Sequence, residues 1–568
     1  MSTRHIADHW TILIAVLASL VIAACSPSEA PATAPGEKES TTERAEGTPK
    51  RGGTVTINYS GRWNADPALG QTPYQTWYWV GDPMLRRNIK TFELEPGIFE
   101  SWNVSKEGTE ITLKVRQGIK FHNKPPVNGR EVEAKDLVYV LKSATGQQYP
   151  DLSPVRFPRR ESFGVMKDVV ALDKYTVKVT LDSPSVSFMH ALADYRATWV
   201  YPDGLREAFE GGVDSLTVSN PQRHIGSGPF IHTKFVSDVE AVFERNPDYW
   251  SKDEAGSQLP YLDTIRAVNL KDTATQQAAF VAGQIDYLST TDAQNRNFVV
   301  NNHRTARIVT YEPPSCWDRI SLNTTRKPFD DYRVRRALYL VMDKKQLAEV
   351  TLGDWEGKPL WRWPGPIPFV FPEARPQEEL AKHPLYQGPT PENVVEARRL
   401  LKEAGYENGF SFEWLMSRAN VDEAQLVQQQ WAKHLPGVNP TLKPVDAETH
   451  RALATKGEYE AQRYCHIFDV TAVSHIAQAY HTTGGRNYGR YSDPKLDAIL
   501  DEAERTLDAE KRKKLLRQAE DYILDHSLAM LPTRQYLGQT ALQPDLKGVV
   551  FGPGTREQMM VARWWRDK

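Results

Sequence analysis

Residue types that could do chemistry are sparse in this chain, and the best placed of them is a cysteine. Ile22-Ala23-Ala24-Cys25 closes a segment, Trp10 to Ala24, that is apolar except for Thr11 and Ser19. Small residues leading into a cysteine after a short apolar run form the cleavage and lipid-attachment layout of an exported protein. The run is shorter than the roughly 20 residues a membrane span needs. Residues 1–24 are therefore expected to be a signal peptide, and Cys25 the lipidation site. Catalytic patterns are absent: the sequence has no Gly-x-x-x-x-Gly-Lys loop, no His-Glu-x-x-His, no Cys-x-x-Cys and no Gly-x-Ser-x-Gly. Gly226-Ser227-Gly228-Pro229-Phe230 has the look of a nucleophile turn, but the proline after the second glycine marks a rigid structural turn. His466 and His475 lie near Asp469, yet no Cys or carboxylate spacing completes a metal shell. No catalytic residue, metal or cofactor is expected.

Aromatic residues carry more signal. Tyr74, Trp77, Tyr78 and Trp79 cluster after Asp66-Pro67, and Trp317 follows Cys316. Broad apolar rings with a hydrogen-bonding edge suit a ligand cleft between lobes, and they suit a packed core equally well. Of the three cysteines, Cys316 and Cys465 remain once Cys25 is set aside. In an exported protein they form either a disulfide or two unrelated buried thiols.

These residues need elements to position them. Ser26 to Lys50 is Ser, Pro, Ala, Thr, Gly and Glu without aromatics or periodicity, a linker composition. The folded body is expected to start near Arg51, where Thr54-Val55-Thr56-Ile57 first alternates. Strands are predicted over 110–116 and 175–181, with a helix over 133–141 whose stripe is Leu137, Val140 and Leu141. Thr390 as cap, Pro391 at the first position and Gly405 beyond the end delimit a later helix. Leu496, Ile499, Leu500 and Ala503 repeat the helical spacing, as do Leu515, Leu516, Ala519, Tyr522 and Ile523. Strands interleaved with helices imply an α/β body too long for one core. A net charge of −2 argues against nucleic acid as partner, since phosphate binding needs a concentrated basic face.

Several motifs, in order, resemble the large extracellular solute-binding proteins of ABC importers, family 5. Glu100-Ser101-Trp102 precedes Arg116-Gln117-Gly118-Ile119-Lys120-Phe121-His122, then Pro126-Val127-Asn128-Gly129 and Ala134-Lys135-Asp136-Leu137-Val138-Tyr139. Gly226-Ser227-Gly228-Pro229-Phe230 is followed by Glu244-Arg245-Asn246-Pro247-Asp248-Tyr249-Trp250. Gly283-Gln284-Ile285-Asp286, the stretch Leu322-Asn323 through Ala337-Leu338, and Tyr491-Ser492-Asp493-Pro494 complete the set. Gly118, Gly129, Asp136 and Asn246 look structural, and identify a fold rather than a ligand.

The resemblance implies an α/β, two-lobed periplasmic-binding-protein-like clamshell of type II with an additional inserted α/β subdomain. Residues 25–50 would be lipidated cysteine and linker. Lobe I would take 51–90, 200–314 and 536–568, the inserted subdomain 91–199, and lobe II 315–535. Closure on a small solute, an oligopeptide in the favoured reading, would be read by an ABC transporter permease; a sugar, opine or metal chelate is the alternative. The protein would act as a monomer, anchored by lipid and facing the periplasm or cell exterior. Gln71, Tyr74, Trp77 and Trp317 would line the cleft with Arg463, Tyr464, His466 and Asp469. Asp469 is the candidate partner of a peptide amino group, although it stands two residues later than the family's aspartate and no proline follows. Arg463 could fork onto a ligand carboxylate. The resemblance also implies a Cys316–Cys465 disulfide.

Overall fold

The computed structural model describes residues 47–59, 79–88, 91, 93–148, 163–194, 198–209, 220–311, 317–466, 470–551 and 561–568. Followed along the chain, strand β1 (Thr54–Asn58) comes first, and the path then leaves for a separate four-stranded sheet. That sheet contains β2 (Phe99–Val104), β3 (Glu110–Val115), β4 (Met166–Asp173) and β5 (Thr176–Leu181), with helices α1 (Ala134–Thr145) and α2 (Val186–Ala191). The chain returns through β6 (Phe230–Val236), β7 (Glu240–Arg245), β8 (Thr264–Val268), β9 (Tyr287–Ser289) and β10 (Arg307–Tyr311). It then crosses into β11 (Trp317–Leu322), β12 (Trp361–Arg362), β13 (Phe410–Ser417), β14 (Val438–Val445), β15 (Ala461–His466) and β16 (Met530–Tyr536). Helices α3 (Val421–His434), α4 (Ala472–Tyr480), α5 (Pro494–Arg505) and α6 (Ala509–Tyr522) accompany this part, and β17 (Gly538–Leu542) leads back.

The result is a seven-stranded sheet in the order β10-β17-β9-β1-β8-β7-β6 and a six-stranded sheet in the order β12-β16-β11-β15-β13-β14. The four-stranded sheet, β2-β3-β5-β4, is antiparallel throughout. Alternation explains the strands: Ile111, Leu113 and Val115 of β3 and Val177 and Val179 of β5 are buried against Leu137 and Val140 of α1. In the first lobe Val55, Ile57, Phe243 and Ile265 form the core. The six-stranded sheet packs on both faces, with Trp414 and Trp431 on one and Ile476, Leu496, Leu500 and Leu516 on the other. The predicted helix at 391–403 is present, with Thr390 accepting from the Asn393 backbone and Pro391 in the first turn.

The sequence motifs work as joints between these parts. Asp82 is buried and accepts hydrogen bonds from Ser227 Oγ at 3.1 Å, Tyr249 O–H at 3.1 Å and Trp250 N–H at 3.0 Å. Burial still pushes its carboxyl above the ordinary value, with Arg86 opposing. Ser227 therefore serves Asp82 as a donor, in a structural turn. A Cβ on Gly228 would sit 2.5 Å from the Val80 carbonyl carbon, so only glycine lets the two backbones approach. Asp136 holds Arg130 through a two-pronged pair at 2.9 and 2.6 Å and accepts the Glu133 and Asp203 backbone N–H groups at 2.8 Å each.

Beside the Gly228 turn, three histidines are buried next to a half-buried lysine. His122 Nε2 lies 3.1 Å from the Gly228 carbonyl, His224 and His232 meet at 3.2 Å, and Lys124 Nζ donates to the Pro221 carbonyl at 2.8 Å. Burial lowers His122 and His232 to about 3 and Lys124 to about 8, from ordinary values of 6.5 and 10.5. A histidine with a lowered folded pKa takes up its proton first in the unfolded state, so stability falls as pH drops below 6.5. At pH 5 the loss is about 2 kcal/mol for each of His122 and His232. Urea unfolding at pH 7 and pH 5 measures it, and His232→Gln is expected to shrink the difference by about that amount.

Candidate functional site

The second lobe is joined to the first by two neighbouring chain crossings. The chain passes from β10 to β11 through residues 312–316, and from β16 to β17 through Leu537. β10 pairs with β17 and β11 with β16, so the strands flanking one crossing are neighbours of those flanking the other. Tyr311 stands opposite Gly538, and Trp317 opposite Gln535. The Tyr311 ring lies over Gly538, where a Cβ would come within 2.2 Å of it, and stacks on Phe551 at 4.3 Å. In the antiparallel β11–β15 pair Trp317 faces His466, so β15 ends at the same crossing edge. Residues 463–466, expected from the sequence to belong to the second-lobe wall of a cleft, lie in the strand that ends at this edge.

Alternation divides the wall into two chemistries. On one face Arg463 reaches Asp318 at 2.7 Å and Glu423 of α3 at 2.7 Å, while Arg534 reaches Asp318 at 2.7 Å and Glu423 at 3.1 Å. Asp318, Glu423 and Arg463 are buried and Arg534 is 14% exposed, and Thr533 Oγ1 donates to Glu423 at 3.3 Å. The acids raise both guanidinium pKa values against the opposing effect of burial. Two cations and two anions balance, so the quartet carries no net formal charge. Here the Arg463 guanidinium is paired with the second lobe's own acids.

On the other face Tyr464 stands opposite Arg319 in register. The Tyr464 ring is half-buried, 5.0 Å from Tyr488 and 5.5 Å from His450. The buried Arg319 guanidinium lies 5.8 Å from the Tyr488 ring centroid, and burial lowers its pKa to about 10. Tyr464 and Arg463 are adjacent in sequence but do not share a face. Arg319, Tyr488, Asp318, Glu423 and Arg534 escaped the sequence reading. The signal for three of them was a charge within a short strand, Asp318 and Arg319 in β11 and Arg534 in β16.

Other expected residues fall differently. Gln71, Tyr74, Trp77, Cys316, Asp469 and Cys25 lie outside the described residues, as do the side chains of Trp317 and His466. Trp79, from the aromatic cluster, is core: it is buried and meets Phe243 edge-on at 4.9 Å. Cys465 is disulfide-bonded. Among the described residues no group of three His, Cys, Asp or Glu side chains could hold a metal ion.

Removing one partner from a buried pair leaves the other charge uncompensated. Glu423→Ala is expected to lose about 3–5 kcal/mol of stability, because Arg463 and Arg534 then share Asp318 alone. Guanidinium unfolding of the variant against the parent measures the loss, and a change below about 1 kcal/mol would refute this account of the quartet.

Comparison with known proteins follows the same lines. Residues 93–488 match the family described as bacterial extracellular solute-binding proteins, family 5 Middle. Heme-binding protein A of Haemophilus influenzae is 25% identical over 485 residues, which cover 81% of this chain and 82% of that protein. A dipeptide-binding protein of Pseudomonas aeruginosa is 25% identical over 473 residues, covering 80% of this chain and 83% of its own. The solved structure of the ABC transporter-associated periplasmic binding protein DppA from Helicobacter pylori, in complex with the peptide STSA, superimposes with a TM-score of 0.78. It is 20% identical and covers 91% of this chain and 99% of its own. The shared architecture is the type II clamshell. With the family match spanning well over half its length, this chain belongs to the bacterial extracellular solute-binding proteins of family 5.

Proposed function

We propose that this protein is the receptor of an ABC importer, capturing an oligopeptide between its lobes outside the cytoplasm and presenting it to a membrane permease. The paired crossings at 312–316 and Leu537 carry the reading. Two sheets linked where neighbouring strand pairs meet can rotate toward each other with little change inside either lobe. The dipeptide-binding relative and the peptide-bound structural neighbour support the solute class. In this reading 51–90, 200–314 and 536–568 move as lobe I and 315–535 as lobe II, with 91–199 as the inserted subdomain. In the same reading Gln71, Tyr74, Trp77, Trp317, Arg463, Tyr464, His466 and Asp469 are the solute-binding residues, Asp469 as partner of the peptide's amino group. No step of bond chemistry is required of any of them. Cys25 tethers the monomeric receptor by lipid and raises its effective concentration at the permease.

A non-peptide solute is the second reading, favoured by the displaced position of Asp469 and by the heme-binding relative. Native mass spectrometry of the protein purified from its own host separates the two. A heterogeneous set of short peptides is expected; a single sugar, opine or metal chelate would replace the peptide assignment.

Cys316 is proposed as the partner of Cys465, since the β11–β15 register sets Trp317 opposite His466 at that edge. Closing so long a loop would stabilise by up to about 4–5 kcal/mol. Peptide mapping without reductant is expected to recover the Cys316–Cys465 cross-link, and Cys465→Ser to lower the thermal midpoint. An unaltered midpoint would deny the bridge a stabilising role.

A further inference from the structure

The four-stranded sheet body touches the second lobe through a compact polar contact far in sequence from the crossings. Glu504, near the end of α5, accepts three hydrogen bonds from the start of α2. Ser185 Oγ donates at 2.5 Å and Ser187 Oγ at 2.7 Å, and the Ser187 backbone N–H donates at 3.0 Å. Ser187 Oγ also lies 2.8 Å from Thr471 Oγ1, the N-cap of α4. One residue earlier, Val470 is buried in the core of the four-stranded body, whereas the α4 residues after it belong to a second-lobe core. Thus one body's core and one body's serines hold the two residues that directly follow Asp469.

We propose that Glu504 and Ser187 form a latch between the four-stranded body and the second lobe, and that through Thr471 and Val470 it positions the N-terminal turn of α4. The inference rests on the clamshell reading but not on the identity of the solute. One feature holds the contact and another lets it part. Its acceptor is a carboxylate, whose hydrogen bonds are the strong kind. The seam borders a cavity of about 380 Å³ whose lining includes the polar groups of Ser183, Ser474, Gln478, His481 and Asp501, large enough for water to replace the serines when the bodies part. A dry apolar seam would bind the two bodies permanently; an isolated wet one would not hold them. Val470 supplies the apolar anchor and Glu504 the direction. His481 sits 3.6 Å from Asp501 on the cavity's far side, and Arg505 pairs with Asp501 at 3.3 Å, so the neighbouring charges are matched within the second lobe.

Hydrogen–deuterium exchange of the full chain, without added solute, tests the latch. In the parent, residues 185–188 and 470–474 are expected to be protected. Glu504→Ala should speed exchange of both segments by about tenfold, since charge-assisted hydrogen bonds are lost. Exchange in β3 and β5 should stay unchanged, as should that in β11. Should Glu504→Ala loosen α5 itself, Ser187→Ala removes the same contact from the other side and must give the same pattern. Equal exchange of 185–188 in parent and variants would overturn the latch. Faster exchange of 185–188 with 470–474 unmoved would overturn the positioning role. Acceleration spread evenly over β3, β5 and β11 would reduce Glu504 to a stability residue and overturn the proposal too. Because no solute is involved, a wrong peptide assignment leaves these outcomes intact.

Discussion

The structure depends on one constraint: two sheets share two adjacent chain crossings, each flanked by strands hydrogen-bonded to those flanking the other. β10 and β17 pair on one side, β11 and β16 on the other. The strands on either side of the two crossings are therefore tied to one another by backbone hydrogen bonds. Gly538 fits this arrangement, because the Tyr311 ring occupies the space a side chain would need. Leu537 keeps its backbone N–H bonded to the Leu360 carbonyl at 2.9 Å, so the crossing is held even as it bends.

Around that edge the protein handles buried charge by matching it locally. Asp318, Glu423, Arg463 and Arg534 neutralise one another within the second lobe. Unpaired, any of them would carry a heavy desolvation penalty. Asp82 and Asp136 show the same economy elsewhere, one gathering hydroxyl and indole donors, the other a guanidinium and two backbone amides. The family's signature motifs thus prove to be joints: Gly226 to Phe230 and Asn246 to Trp250 meet through Asp82 and the Gly228 carbonyl, to which Asn246 donates at 2.9 Å. Their chemistry orders backbone.

Much of the fold was legible. Period-two alternation in β3 and β5, and the 3- and 4-residue spacing of Leu496, Ile499, Leu500 and Ala503 in α5, are local patterns that burial obeys. Thr390 with Pro391 marks a helix start because the capping oxygen and fixed proline angle act within one turn. The site was legible only in outline. Arg463 beside Tyr464 reads as one patch in sequence, yet a strand sends neighbours to opposite faces, and which face meets Asp318 and Glu423 depends on partners 145 and 40 residues away. Trp79 belonged to an aromatic cluster in sequence and to the first lobe's core in space.

Sequence alone determined the export signal ending at Cys25 as an expectation, the α/β character, the motif order and hence the family, since each is written in short-range pattern. Tertiary structure decided what a side chain's chemistry is spent on. It committed Arg463 to an internal quartet and joined Glu504 to Ser187 across 317 residues. It also placed the end of β15 beside two chain crossings. The physical reason is the same in each case: a charge or hydrogen-bonding group has no fixed role until folding removes water and selects its partner, and that selection is made by residues far away along the chain.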